Sequence, residues 1–128
     1  MNLNPDFVLV LGDVNSPLAC AIVASRNVYK VGHIASGLGS FDRDMPEENN
    51  RILIDDLSDL FFINEQSGID HLLKEGRGNN KLHFVGNTMI DSLVTFSDHI
   101  DGSSILNNLK ITDQYGLLKF VFPIRPRT

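Results

Sequence analysis

Two stretches of this sequence put chemistry within reach: an aspartate directly after an apolar run, Leu9-Val10-Leu11-Gly12-Asp13, and a charged loop from His33 to Arg51. Asp13 follows strand-like residues without a gap, so its carboxylate is expected at a sheet edge, partly shielded from water and tunable for acid-base work. A turn aspartate that bonds nearby N–H groups, or caps the next helix, is the competing reading. The second stretch crowds Asp42, Arg43, Asp44, Glu47, Glu48 and Arg51 into its later half, while its earlier half holds only small residues such as Ala35, Ser36, Gly37 and Gly39. Glu47 and Glu48 follow Pro46 and serve a helix N-terminus as readily as they serve catalysis, because the partial positive charge there favours carboxylates.

The remaining candidates each carry two readings. His33 is a candidate metal ligand or base, but no second His, Cys or Asp lies at ligand spacing around it, which leaves a satisfied strand histidine as the alternative. Asn87-Thr88 reads as a helix cap as well as a polar contact for a ligand. His71, His83 and His99 are scattered singly and are assigned no chemistry. The Gly12–Ser16 turn has neither the GxGxxG spacing nor the Gly-Lys-Ser/Thr ending of a phosphate loop.

Elements able to position these groups alternate along the chain. Residues 7–11, FVLVL, form a continuous aliphatic run suited to a parallel strand buried on both faces. Ser16 before Pro17 predicts a capped helix through LACAIVASR. A second strand is expected at 29–35. A helix follows, opened by Pro46, with Ile52, Ile54, Leu57 and Leu60 as its apolar stripe. Strands at 60–64 and 82–86 enclose a helix at 65–76 stopped by glycine. Asn87-Thr88 then starts a helix through about Phe96, with Asp91 as a capping-box-like partner. This alternation predicts an α/β fold, a partial Rossmann-like, doubly wound parallel sheet, with ligand groups at the carboxyl ends of its strands. After His99 the sequence turns polar and reads as a linker or weak helix, before a further strand at 115–122.

Bulk properties narrow the function classes. With 128 residues the chain forms one ordinary domain, and 42% apolar with 21% charged content is that of a globular protein. A formal charge of −5 excludes a general nucleic-acid binder, since Lys119, Arg125 and Arg127 are too few to neutralise a phosphate backbone. Cys20 stands alone in an apolar run and is expected to be a buried small hydrophobe in a reducing compartment. MNLNPDF lacks the features of a signal peptide, and no run reaches the roughly 18 apolar residues of a membrane helix. The expectation is a cytoplasmic protein with no membrane partner.

Taken in order, Gly12-Asp13-Val14-Asn15-Ser16, His33, Gly37-Leu38, Ser40-Phe41-Asp42-Arg43, Met45-Pro46-Glu47-Glu48, Asn50-Arg51, Ser58-Asp59 and Gly86-Asn87-Thr88 resemble the non-hydrolysing UDP-N-acetylglucosamine 2-epimerases. The likeness runs from about residue 4 to residue 96 and continues more weakly through Tyr115-Gly116-Leu117-Leu118. It implies a fold of two Rossmann-like domains facing a cleft, the GT-B-like architecture. It implies inversion at C2 of a UDP-sugar by elimination of UDP to a glycal and its re-addition, with no metal and no other cofactor. By the resemblance, Asp13 and Glu47 are catalytic, and His33 and Asn87 bind substrate.

The same resemblance exposes departures. Where the family reads His-Val-Glu-Ala-Gly-Leu-Arg, this chain has His33-Ile34-Ala35-Ser36-Gly37-Leu38-Gly39, so a catalytic glutamate has become Ala35 and an arginine Gly39. A His-Arg-containing segment of the family aligns with Val121-Phe122-Pro123-Ile124-Arg125, and most of the uridine-binding domain has no counterpart. The expected organisation is a partial N-terminal domain over 1–98, a linker over 99–114, and the first strand of a truncated second domain over 115–128. Its expected consequences are inactivity alone and self-association, or a homodimer, through the N-terminal domain.

Overall fold

A computed structural model describes residues 4–111, which divide between one unit ending at Asp91 and another beginning at Ser92. The first unit is built on a sheet of four parallel strands, β1 (Phe7–Leu11), β2 (Lys30–Ile34), β3 (Leu60–Ile63) and β4 (Leu82–Phe84), adjacent in chain order. Helices α1 (Asn15–Arg26), α2 (Pro46–Leu57) and α3 (Gln66–Lys74) connect them, with a single 3-10 turn at Asn79–Lys81 before β4. Pairing is in register from Phe7 opposite Lys30 through Leu11 opposite Ile34, and continues with His33 opposite Phe61 and Phe61 opposite Leu82.

Three right-handed crossovers stepping the same way place all three connecting helices on one face. Burial agrees with this. Val10 and Val31 pack under α1 and α2 with Ala21, Ala24 and Ile54, while Phe61 and Ile63 pack under α3 with Leu72. On the opposite face Leu9 is 56% and Leu11 65% exposed. The expected parallel α/β sheet is therefore present. Its straight strand order is that of one wing of a doubly wound sheet, and the reversal of order does not fall among these four strands.

Strand β1 is not buried on both faces as expected, since Leu9 and Leu11 are exposed, and three further local expectations need correction. Asn15 and Ser16 are inside α1 and Val14 is its N-cap, with no side-chain cap bond, so Ser16 does not cap it. Pro17 still lies in the first turn, where its missing N–H costs nothing. Cys20 is exposed rather than buried. It lines an apolar groove of about 450 Å³ with Pro5, Val8, Ala19, Val23, Ala24 and Tyr29.

The third correction concerns α2. Pro46 opens it as expected, but of its apolar stripe only Ile54 is fully buried, and Leu60 opens β3 instead. Its inner face is taken by Glu48, Asn50, Arg51 and Asp55.

Past β4, Asn87 caps α4 (Thr88–Thr95) by accepting the Met89 N–H on Oδ1 at 3.0 Å. The second unit holds α5 (Ser97–Asp101) and α6 (Ile105–Asn108), around a cavity of about 520 Å³ lined by His99, Ile100, Asp101, Ser103, Ile105 and Leu106. These short helices occupy the stretch expected as linker, and the strand expected at 115–122 lies outside the described residues.

Two glycines let the loop after β2 lie directly on α3. Gly37 has φ of +75°, and a Cβ there would sit 2.6 Å from the Gly68 carbonyl oxygen. A Cβ on Gly68 would in turn meet Ile63 at 2.8 Å. Gly37→Ala should therefore cost about 2–4 kcal/mol, from left-handed backbone strain together with overpacking, read as a lower urea midpoint at unchanged slope.

Candidate active-site edge

Every sequence-predicted site residue except His33 lies in a loop or helix start that follows the carboxyl end of a strand. Gly12 turns the chain out of β1 with φ of +75°, its N–H donating to the Ile34 carbonyl at 3.2 Å, and Asp13 follows. Asp13 is half-buried, and its carboxylate has no hydrogen-bond or ion-pair partner among the described residues. Glu47 is exposed in the first turn of α2. Asn87, half-buried, spends its Oδ1 on the cap of α4, which leaves its Nδ2 without a partner among the described residues.

His33 sits beneath this edge rather than on it. It is fully buried; Nδ1 lies 2.6 Å from Asp55 Oδ1, and Nε2 lies 3.0 Å from the Gly12 carbonyl oxygen. Both ring nitrogens are thus engaged within the protein.

Sequence reasoning missed the group that carries this edge. Arg51, 2% exposed, donates from Nη1 to Asp55 Oδ2 at 2.8 Å and from Nη2 to Glu48 Oε1 at 2.9 Å and Glu75 Oε1 at 3.3 Å. Glu48 Oε2 then accepts the Ser40 backbone N–H at 2.7 Å, which pins the loop between β2 and α2. A separate bond from Asn50 Nδ2 to Asn15 Oδ1, at 2.9 Å, ties α2 to the start of α1. The available signal was the spacing of Glu48, Arg51 and Asp55, which places three charges of alternating sign on one helical face. Charge normally marks a solvated face, so the pattern pointed outward instead of inward.

Burial by itself raises the Glu48 carboxyl's proton affinity, but the hydrogen bonds from Arg51 and the Ser40 N–H outweigh it and leave the pKa below its ordinary value. For Arg51 burial works downward, and the Glu48 bond with the charges of Asp55 and Glu75 raises the guanidinium further above neutrality. Asp59 behaves like Glu48: burial raises it, while the Val31 N–H and Lys30 bring it below normal.

Ala35 and Gly39, where the resemblance implies departures, sit in this frame. Ala35 has φ of +63° and Phe41 of +57°, so two non-glycine residues bracket the loop in left-handed conformations. The Ala35 N–H donates to the Phe62 carbonyl at 3.0 Å, which holds that conformation in place. At Gly39 a Cβ would lie 3.1 Å from both Glu48 carboxylate oxygens and 3.3 Å from Arg51 Nε. A side chain there makes the Glu48 carboxylate give by a few tenths of an ångström.

A parallel α/β unit with unengaged acidic groups along its carboxyl edge is a frame for binding and proton transfer on a small polar ligand. The comparisons with known proteins name the family. Residues 1–120 match the family described as UDP-N-acetylglucosamine 2-epimerase, and the chain belongs to that family. It is 50% identical over 90 residues to the UDP-N-acetylglucosamine 2-epimerase of Methanococcus maripaludis, covering 70% of this chain and 25% of that protein. It is 46% identical over 95 residues to the UDP-2,3-diacetamido-2,3-dideoxy-D-glucuronate 2-epimerase of Pseudomonas aeruginosa, covering 73% and 27%. The structure of the Methanocaldococcus jannaschii UDP-GlcNAc 2-epimerase in complex with UDP-GlcNAc and UDP superposes with a TM-score of 0.77 at 40% identity, over 82% of this chain and 29% of that one. The chain thus spans about a quarter to a third of these relatives, within a GT-B-like fold.

Two measurements check this frame. Glu48 and Asp59 bind protons less readily folded than unfolded, so the stability they add is present above their ordinary values of 4.5 and 3.8 and is lost as pH falls below them. The urea midpoint should drop through that window, and less steeply in Glu48→Gln, which starts from a lower plateau. Ala35→Gly should raise stability by up to about 1 kcal/mol, because glycine carries no penalty at positive φ.

Proposed function

We propose that this chain supplies the acid-base edge of a UDP-N-acetylglucosamine 2-epimerase. In this reading UDP leaves C1 as a proton is taken from C2, forming a C1–C2 double bond. A proton is then delivered to the opposite face of C2 while UDP adds back to C1. Asp13 and Glu47 are the proton-handling carboxylates, Asn87 contacts the substrate, and His33 takes part from beneath by fixing the Gly12 carbonyl. The observation that supports this most is a half-buried Asp13 carboxylate with no partner among the described residues, at the same sheet edge as an exposed Glu47.

The titled ligands of the Methanocaldococcus jannaschii structure support a UDP-sugar as the substrate class. The reading further takes 1–98 as part of an N-terminal domain, 99–114 as a connection and 115–128 as the start of a second domain. It places the protein in the cytoplasm, where its substrate is made, with neither nucleic acid nor membrane as partner. Self-association through the first unit belongs to the same reading, supported by the exposed Leu9 and Leu11.

Ala35 stands where the family has a catalytic glutamate, and loss of a positioned acid or base costs about 10²- to 10⁴-fold in rate. The isolated chain is accordingly expected to be inactive. Ala35 and Gly39 also favour a second reading, a noncatalytic module that binds a nucleotide sugar or regulates a relative.

One hybrid separates the two. Residues 4–96 are placed in the Methanocaldococcus jannaschii relative in exchange for its matching segment, and formation of the C2 epimer is followed. The hybrid should turn over at least about 10²-fold slower than its parent and recover substantially with Ala35→Glu, and Asp13→Asn should abolish what is recovered. Full activity without Ala35→Glu would overturn the expected inactivity of this segment, and activity indifferent to Asp13→Asn would sink the acid-base edge itself. Tight UDP-sugar binding with no recovery would support the binding module.

A further inference from the structure

Beneath the strand edge, buried polar groups form one unbroken line from the turn that carries Asp13 to the loop that leads into α2, whose first turn carries Glu47. It starts at the Gly12 carbonyl, passes through His33 (3.0 Å) to Asp55 (2.6 Å) and Arg51 (2.8 Å), then through Glu48 (2.9 Å) to the Ser40 N–H (2.7 Å). Gly12 immediately precedes Asp13, and Glu48 immediately follows Glu47. The four side chains between the ends are buried, none more than 4% exposed, so water does not compete for these bonds.

Most donor and acceptor roles along the line are fixed by chemistry. A carbonyl only accepts, so Nε2 of His33 carries a proton to Gly12. Arg51 donates to one oxygen of Asp55, and the other oxygen shares a hydrogen bond with Nδ1 of His33. Both ring nitrogens of His33 are then engaged within the protein. Buried ion pairs are often no more stabilising than apolar packing of the same volume, so stability alone does not account for such a line. What the line does that apolar packing would not is fix two loops in direction as well as in distance.

We infer that His33 and Asp55 are positioning residues. Together with Arg51 and Glu48 they form a strut that locks the Asp13 turn to the start of α2, so that one set of bonds places both candidate carboxylates. The functional meaning of the strut rests on the acid-base reading of Asp13 and Glu47, while the mechanical coupling does not.

Amide hydrogen exchange on the full chain, with no nucleotide sugar present, tests the coupling. The reporters are Gly12 and Ser40 at the two ends and Val85, whose N–H donates to the Ile63 carbonyl at 2.9 Å away from the strut. His33→Gln and Asp55→Asn should each speed exchange at both Gly12 and Ser40 on the order of tenfold or more and leave Val85 unchanged. Equal acceleration at all three reporters would mean a purely structural role and would overturn the inference, as would a response confined to the end nearer the substitution. Should both variants fail to fold, the unsubstituted chain still decides: across a urea series Gly12 and Ser40 should exchange through one shared opening, distinct from that of Val85, and unrelated openings at the two ends overturn the inference. No turnover is read in any arm, so failure of the epimerase assignment leaves this outcome intact.

Discussion

A guanidinium enclosed by carboxylates under a sheet edge is the constraint on which the rest of this molecule hangs. Arg51 is taken out of water by α2, the loop before it and Glu75, and it stays charged because Glu48, Asp55 and Glu75 surround it. Removing one member of such a buried group typically costs about 3–5 kcal/mol, since the others are left charged and unpaired. That penalty makes the cluster all-or-none. With it in place, the Ser40 amide, the Gly12 carbonyl and the N-terminus of α2 are held to one another, and the carboxyl edge of the sheet acquires a definite shape.

Around this cluster the fold is lopsided. One face of the sheet is covered by α1, α2 and α3, with Val31, Ile54, Phe61, Ile63 and Leu72 fully or almost fully buried beneath them. The other face leaves Leu9 and Leu11 in contact with water, and β1 pairs on one side only within the described sheet. Unpaired strand edges and apolar faces invite pairing with further polypeptide. The polar cluster lies on the covered side and depends on none of this.

Ala35 and Gly39, the positions where the resemblance implies departures, are local to the loop above the cluster. Ala35 holds a left-handed backbone, and a glutamate placed at that position would have to accept the same strain. Gly39 is different, because a Cβ there would meet both Glu48 carboxylate oxygens at 3.1 Å, and that carboxylate would have to give by a few tenths of an ångström. The two positions are therefore not equivalent: position 35 is limited by its backbone, and position 39 by its contact with Glu48.

By itself the sequence determined the succession of strands and helices, the parallel α/β class, the family, and the loops in which Asp13, Glu47 and Asn87 lie. These follow from short-range patterns: apolar runs of strand length, proline at the start of α2, and an ordered set of loop motifs. It misjudged Ser16 as a cap, Cys20 as buried and the inner face of α2 as apolar, because each depends on what packs against the residue and not on its neighbours in the chain. Only the tertiary structure decided that His33 is a buried tie between β2, α2 and the Gly12 turn. The same holds for Glu48, Arg51 and Asp55 facing inward. Charges enter a protein interior when partners from distant positions arrive together, and His33 and Glu75 meet the α2 charges through folding alone.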